Sequence, residues 1–278
     1  MNKGINIQSP SFATHYLRMI PEGNDIIMST GTGFFYEYKD EVYLITNGHN
    51  VTRTNPEQNQ RITYSAAFPV KIKTKMKYEI SEDTIGFSDL ITINLYEDEL
   101  FKNPIWYVHP KHGYLVDVIA IPFESIKKSF SNIKMFPINK FSFDEKYEVE
   151  VSDEVFIIGY PFDITSGKDL PIWKRGTIAT EPNIDLENLP KIFVDTASRS
   201  GMSGSPVIFK RVGLHGYDGV KMKGNETIGT ITNFVGVYSG RIGAEDEFKA
   251  QLGIIWKKEV IEEIIEGKTI GSITFQNI

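Results

Sequence analysis

Ser200-Gly201-Met202-Ser203-Gly204-Ser205-Pro206-Val207-Ile208 is the stretch on which the reading of this chain turns. A serine stands between two glycines, and a proline then opens an apolar run. Gly201 permits a turn tight enough to aim its N–H inward. Ser203 then presents its hydroxyl at the tip of the bend, and the N–H groups of Gly201 and Ser203 can converge on one point, as an oxyanion requires. Gly204 has no side chain to block an incoming carbonyl. Pro206-Val207-Ile208-Phe209 reads as the start of a buried strand, where Pro is tolerated at the first position. A serine hydroxyl is a weak nucleophile at neutral pH and needs a base beside it and a group to orient that base. The turn therefore demands a histidine and an acid elsewhere.

Bulk composition narrows the field. The 278 residues are 41% apolar and 24% charged, an ordinary globular balance with length for a sizeable core. A net charge of −6 argues against a nucleic-acid surface. With no cysteine, disulfides, zinc–thiolate sites and a cysteine nucleophile are excluded. The first ten residues hold no apolar core of signal-peptide length, and no apolar run approaches a membrane span. The expectation is a soluble cytoplasmic protein without cofactor, metal, membrane or nucleic-acid partner. Asn50-Val51-Thr52 and Asn225-Glu226-Thr227 match the glycosylation pattern, which has no meaning without a secretory route.

Residues 11–47 read as strands: Ala13–Ile20, Ile26–Met28, Thr30–Tyr36, and Val42–Thr46 after a charged Lys39-Asp40-Glu41 turn. Gly31-Thr32-Gly33 is no dinucleotide fingerprint, since the third glycine and the following helix are missing. His49 follows an apolar strand beside Gly48, where a plain loop histidine is the alternative reading. Residues 53–62 read as loop, with short strands at Val70–Ile72 and Asp89–Tyr96. Asp117 lies within the apolar Val116–Pro122, where a carboxylate is costly unless it is hydrogen-bonded; a turn-capping Asp at a strand start is the alternative. His109 and His112 form a rival pair, but Pro110 between them breaks the helix that a shared metal face would need.

Residues 123–145 change to a polar, connecting character. Strands resume at Asp153–Gly159, Trp173–Ala179 and Lys191–Thr196. After the serine turn they continue at Glu226–Thr232, Phe234–Arg241 and Gln251–Trp256. One segment, around Val260-Ile261 and Ile264-Ile265, has helical period. Many short strands with one late helix, and no internal repeat, predict an all-β barrel or sandwich. The order His49, Asp117, Ser203 places histidine and acid before the connection and serine after it. A nucleophile elbow would need a glycine at position 205 and a helix after the serine, and a subtilisin-like layout would also need that helix; a strand follows instead.

Thr46-Asn47-Gly48-His49-Asn50-Val51, Val116-Asp117-Val118-Ile119-Ala120-Ile121-Pro122 and Gly201-Met202-Ser203-Gly204-Ser205-Pro206-Val207 together resemble the three signature blocks of the trypsin-like serine peptidases, disulfide-free bacterial members above all. Gly31-Thr32-Gly33-Phe34, Ile158-Gly159-Tyr160-Pro161 and Gly236-Val237-Tyr238-Ser239-Gly240 fall where those members carry similar blocks. The resemblance implies two antiparallel β-barrels with the active site in the cleft between them and a C-terminal helix. Residues 1–125 would form the barrel carrying His49 and Asp117, 126–145 the linker, and 146–278 the barrel carrying Ser203 together with the helix.

It further implies Ser203 as nucleophile, His49 as general base then acid, and Asp117 as the group fixing the imidazole. Gly201 and Ser203 would form the oxyanion hole. Ser239-Gly240-Arg241 would pair with a polypeptide substrate, and Ala197, Arg241 and Leu252-Gly253 would line the specificity pocket. Met202 stands where trypsin has an acid, so activation through a new N-terminal amine is not expected. Asn50 departs from the Val or Cys of many relatives. Arg241 either attracts an acidic side chain or points to solvent. Two further readings stay open: a peptide-binding module whose triad never aligns, and a latent protease activated by a protein partner in bacterial defence or stress.

Overall fold

The computed structural model describes residues 7–272 apart from 24, 56–59, 62–66, 82–83, 124–134, 168, 198, 217–223, 225 and 242–251. Aromatic and β-branched residues on both arms build the hairpin of β2 (Ser29–Tyr38) and β3 (Glu41–Thr46). Its two-residue turn, Lys39-Asp40, takes positive φ at both positions, 50° and 65°, the geometry whose twist suits adjoining strands. Preceding it are a four-residue helix α1 (Pro10–Ala13) and β1 (Thr14–Pro21). The short helix α2 (Gly48–Thr52) follows, then the two-residue pair β4 (Thr54–Asn55) and β5 (Gln60–Arg61), where the sequence reads as loop.

β6 (Pro69–Ser81) and β7 (Thr84–Asn94) form a hairpin much longer than Val70–Ile72 and Asp89–Tyr96 suggest. β8 (Tyr107–Val108) and β9 (Ile119–Pro122) complete the first half. The second half holds β10 (Glu154–Gly159), β11 (Ile172–Ile178), β12 (Lys191–Asp195), β13 (Ser205–His215), β14 (Thr227–Arg241) and β15 (Leu252–Lys257). Helix α3 (Glu259–Gly267) and β16 (Thr269–Ile270) follow. The two runs expected at Glu226–Thr232 and Phe234–Arg241 are one strand. Ile208 pairs with Phe234 and Val207 with Gly236, so Val235 is the extra residue of a bulge.

The protein is all-β with a C-terminal helix, as the sequence leads one to expect. The second half closes into a six-stranded antiparallel barrel, β10-β11-β12-β15-β14-β13. Among the described residues the first half is an eight-stranded antiparallel sheet, β16-β8-β9-β3-β2-β1-β6-β7, with β16 and β7 at its edges. β16 thus belongs to the first sheet, with Thr269 opposite Val108 and Ile270 opposite Tyr107. A boundary that assigns all of 146–278 to the second half misses this return. Its cause is α3, which buries Val260, Ile261, Ile264 and Ile265 at the junction of the halves. They pack with Phe34, Tyr43 and Ile45 of the first sheet and Ile208, Phe234 and Trp256 of the barrel.

Much of the expected linker lies outside the described residues. Within 135–145, Asn139 clasps the Glu37 backbone through two hydrogen bonds of 3.0 and 2.8 Å. No helix among the described residues is long and apolar enough to cross a membrane.

Candidate active site

β3 delivers the chain straight into α2, so His49 sits in a helical turn rather than in the loop the sequence suggests. Asn47, extended just before the helix, donates its side-chain amide to Asp117 O at 2.6 Å and ties α2 to the segment before β9. Asp117 is only 2% exposed. Its Oδ1 accepts the His49 backbone N–H at 2.9 Å, and its Oδ2 meets His49 Nδ1 at 2.6 Å. The Ser239 hydroxyl from β14 also donates to Oδ2. A buried carboxylate with three donors is satisfied without exposure to water. Because an ionised carboxylate only accepts, the shared proton sits on Nδ1, and the Nε2 of neutral His49 carries the lone pair.

The serine turn arrives from the barrel. Gly201 and Gly204 take φ of +88° and +86°, in the left-handed region where glycine is favoured. A Cβ on Gly201 would strike the Tyr160 carbonyl. One on Gly204 would strike the Thr32 carbonyl and come within 2.5 Å of Thr46 Oγ1. Gly204 is therefore required by close docking against the first sheet, rather than by the open approach its position suggests in the sequence. The turn is held from that side by several bonds. Thr32 N–H and Asn50 Nδ2 donate to Ser203 O at 2.8 and 3.2 Å. Thr32 Oγ1 donates to Gly201 O at 2.8 Å. From the barrel side, Gly204 N–H donates to Tyr238 O of β14 at 2.8 Å. Met202, fully buried in the barrel core, seats the turn by packing where an acid would need an ion pair.

The structure thus brings His49 and Asp117 into direct contact and docks Ser203 against the helix that carries His49. Among the described residues no hydrogen bond joins the Ser203 hydroxyl to the His49 ring, and the N–H groups of Gly201 and Ser203 have no protein acceptor. Ser203 Oγ faces β14 near Gly240, where an added Cβ would lie 3.5 Å from it.

Ser239 and Gly240 fall in the register shift between Tyr238 and Arg241, and Arg241 pairs with Gly253 of β15. Pairing of β14 with β13 begins only at Tyr238, which leaves Ser239-Gly240-Arg241 beyond the start of that strand. The Arg241 side chain lies outside the described residues. Ala197 is half-buried, and Gly253 lies under the Tyr238 ring, where a Cβ would come within 2.5 Å. His109 Nε2 meets Glu263 Oε2 of α3 at 2.7 Å, with the His112 ring 5.0 Å from its own.

Asn50 is the residue that reading the sequence undervalues. Its buried amide also donates to Thr46 Oγ1 at 2.9 Å, and its side chain fills the space over Gly31, where a Cβ would come within 2.6 Å. The one available signal was a buried-context Asn beside His49; its partner Ser203 lies 153 residues away.

Residues 31–213 match the trypsin-like peptidase domain family, and the chain belongs to that family. Among solved structures it is similar to a serine endoprotease from Yersinia pestis, with 12% identity and a TM-score of 0.47 over 94% of this chain. The chain spans 66% of the length of that protein. It is also similar to Rv3671c of M. tuberculosis H37Rv, crystallised as an inactive-form serine-to-alanine mutant, with 12% identity and a TM-score of 0.43 over 97% of this chain and 91% of the other. No curated protein sequence is significantly similar to it.

Proposed function

We propose that the protein is a serine endopeptidase that cleaves polypeptides through an acyl-enzyme, with Ser203, His49 and Asp117 as its triad. The observation that carries this reading is the 2.6 Å pair of His49 Nδ1 and Asp117 Oδ2, on a helix hydrogen-bonded to the Ser203 turn. In this reading Ser203 Oγ attacks the scissile carbonyl while His49 Nε2 takes its proton, then returns it to the leaving amine. Asp117 holds the Nδ1–H tautomer and stabilises the imidazolium. The N–H groups of Gly201 and Ser203 receive the oxyanion, and Ser239-Gly240-Arg241 pairs with the extended substrate. Ser203→Ala should lower turnover by about 10⁶-fold with the fold unchanged. A fluorophosphonate should label Ser203 in the parent protein, and labelling at another residue counts against the assignment.

A second reading, a latent enzyme switched on by a protein partner, is favoured by the missing Ser203–His49 hydrogen bond. The two part experimentally: the latent form labels slowly alone and rapidly once its partner is added.

A further inference from the structure

β10 ends at Gly159, and the chain then bends through Tyr160-Pro161-Phe162-Asp163-Ile164 against the serine turn. Phe162 and Asp163 take φ of 51° and 63°, and Ile164 N–H donates to Pro161 O at 2.9 Å. With Phe162 at ψ 34°, this is the two-residue turn in which both central residues are left-handed. Asn, Asp and Gly suit it, because a short or absent side chain relieves the crowding of Cβ against the following carbonyl. Asp163 fits that pattern, whereas Phe162 is an outlier: a bulky side chain stays in this region only where its surroundings enforce it.

The enforcement comes from both halves. Phe162 N–H donates to the carbonyl of Ser200, the residue before Gly201, at 2.8 Å. Thr30 Oγ1 of β2 donates to Asp163 Oδ1 at 2.5 Å and braces the turn from the first sheet. Packing does not compensate Phe162, whose ring is 60% exposed; Arg199 places its guanidinium 5.9 Å from the ring centre, and Ile164 is exposed as well. A residue that served only the turn would be Asn or Gly, and one that served only the core would be buried. An aromatic ring held out to water on a strained backbone, next to the glycine whose N–H faces the reaction, has its partner outside the chain.

The serine turn has two flanks. On one lies β14, with Tyr238 O bonded to Gly204 N–H and Gly240 beside Ser203 Oγ. On the other lies the Tyr160–Asp163 bend, with Tyr160 O against Gly201 and Phe162 N–H on Ser200 O. A substrate whose acyl half pairs with Ser239-Gly240-Arg241 carries its leaving half out over the second flank. We propose that Phe162 is a specificity-determining residue for the leaving half of the substrate, packing against a bulky apolar or aromatic side chain within the first two positions after the scissile bond. The Arg199 guanidinium beside the ring disfavours lysine and arginine at the same place. This inference rests on the endopeptidase reading and adds to it which polypeptides are cut.

The test is a cleavage profile of the intact protein on a randomised peptide library. It is followed by kcat/KM on peptides that share the best-cleaved acyl half and carry Phe, Leu, Gly or Lys at the first two leaving positions. The expected result is a preference of about tenfold or more for Phe or Leu over Gly, with Lys cut more slowly than Gly. Phe162→Asn suits the left-handed turn and removes the ring, so the ratio of Phe to Gly peptides should fall about tenfold, toward one. Phe162→Tyr keeps the ring and should keep the ratio. Fluorophosphonate labelling, which needs no leaving half, separates the two layers of the argument. Label on Ser203 without an apolar preference in the parent overturns this inference alone. So does an unchanged ratio in Phe162→Asn, or an equal loss on Phe and Gly peptides, which would leave Phe162 a part of the turn only. A parent that neither takes label on Ser203 nor cleaves the library overturns the endopeptidase reading, and this inference with it.

Discussion

Gly204 and Asn50 show how closely the serine turn is pressed against the first sheet. Gly204→Ala puts a methyl into the Thr32 carbonyl at a φ of +86°, so the turn must move. We expect about 3 kcal/mol or more of lost stability in urea unfolding and a collapse of fluorophosphonate labelling. Asn50→Ala leaves Ser203 O with only the Thr32 N–H and strips Thr46 Oγ1 of its donor. Its expected cost is about 1–3 kcal/mol, with slower labelling of Ser203. Lys77 makes a pH prediction. It gives up its proton near 7 when folded, against 10.5 unfolded, so between these values the unfolded chain binds the extra proton and stability rises with pH. Lys77→Met should therefore exceed the parent by on the order of a few kcal/mol at pH 7, an advantage that shrinks toward pH 10 in urea midpoints. The sequence singles out His49, Asp117 and Ser203 because each is chemically out of place in its local context, and the structure brings the first two into contact. The Ser239–Asp117 bond and the Asn50 bridge were not legible there, since each joins residues more than a hundred positions apart.

Among the elements, α3 does most to join the halves. Val260, Ile261, Ile264 and Ile265 form one buried face, and His109 reaches across from the first half to Glu263. Ile264→Ala should cost about 2–5 kcal/mol and lower a single thermal transition, because the cavity opens in packing shared by both sheets. Two separate transitions would show that the halves unfold independently. The period of α3 was plain in the sequence, as was the β2–β3 hairpin with its charged turn. Helices α1 and α2 were hidden because four and five residues are too few to show a 3.6-residue period. The length of β6 was hidden for a different reason. Its lysines alternate properly as far as Lys75, but the bulge then turns Lys77 inward against the pattern. In β14 the buried Asn233 and the extra Val235 break what is one strand into two apparent runs.

At the scale of the molecule the two halves are joined by more than the chain between them. Phe34 and Phe234 meet edge to face with ring centres 5.6 Å apart, Ser239 reaches Asp117, and Thr32 reaches Ser203. Cleavage of the backbone between residues 123 and 138 should leave two fragments that co-elute as one species in native size-exclusion and separate only in denaturant. β16 adds an order of mechanical failure. Tension applied beyond Ile270 in an optical trap reaches the two-residue ladder on Tyr107-Val108 first, then α3, and the barrel last. The earliest rupture should thus be a brief, low-force unzipping from the opposite half of the molecule, and shortening the chain before Thr269 should erase that step from the trace.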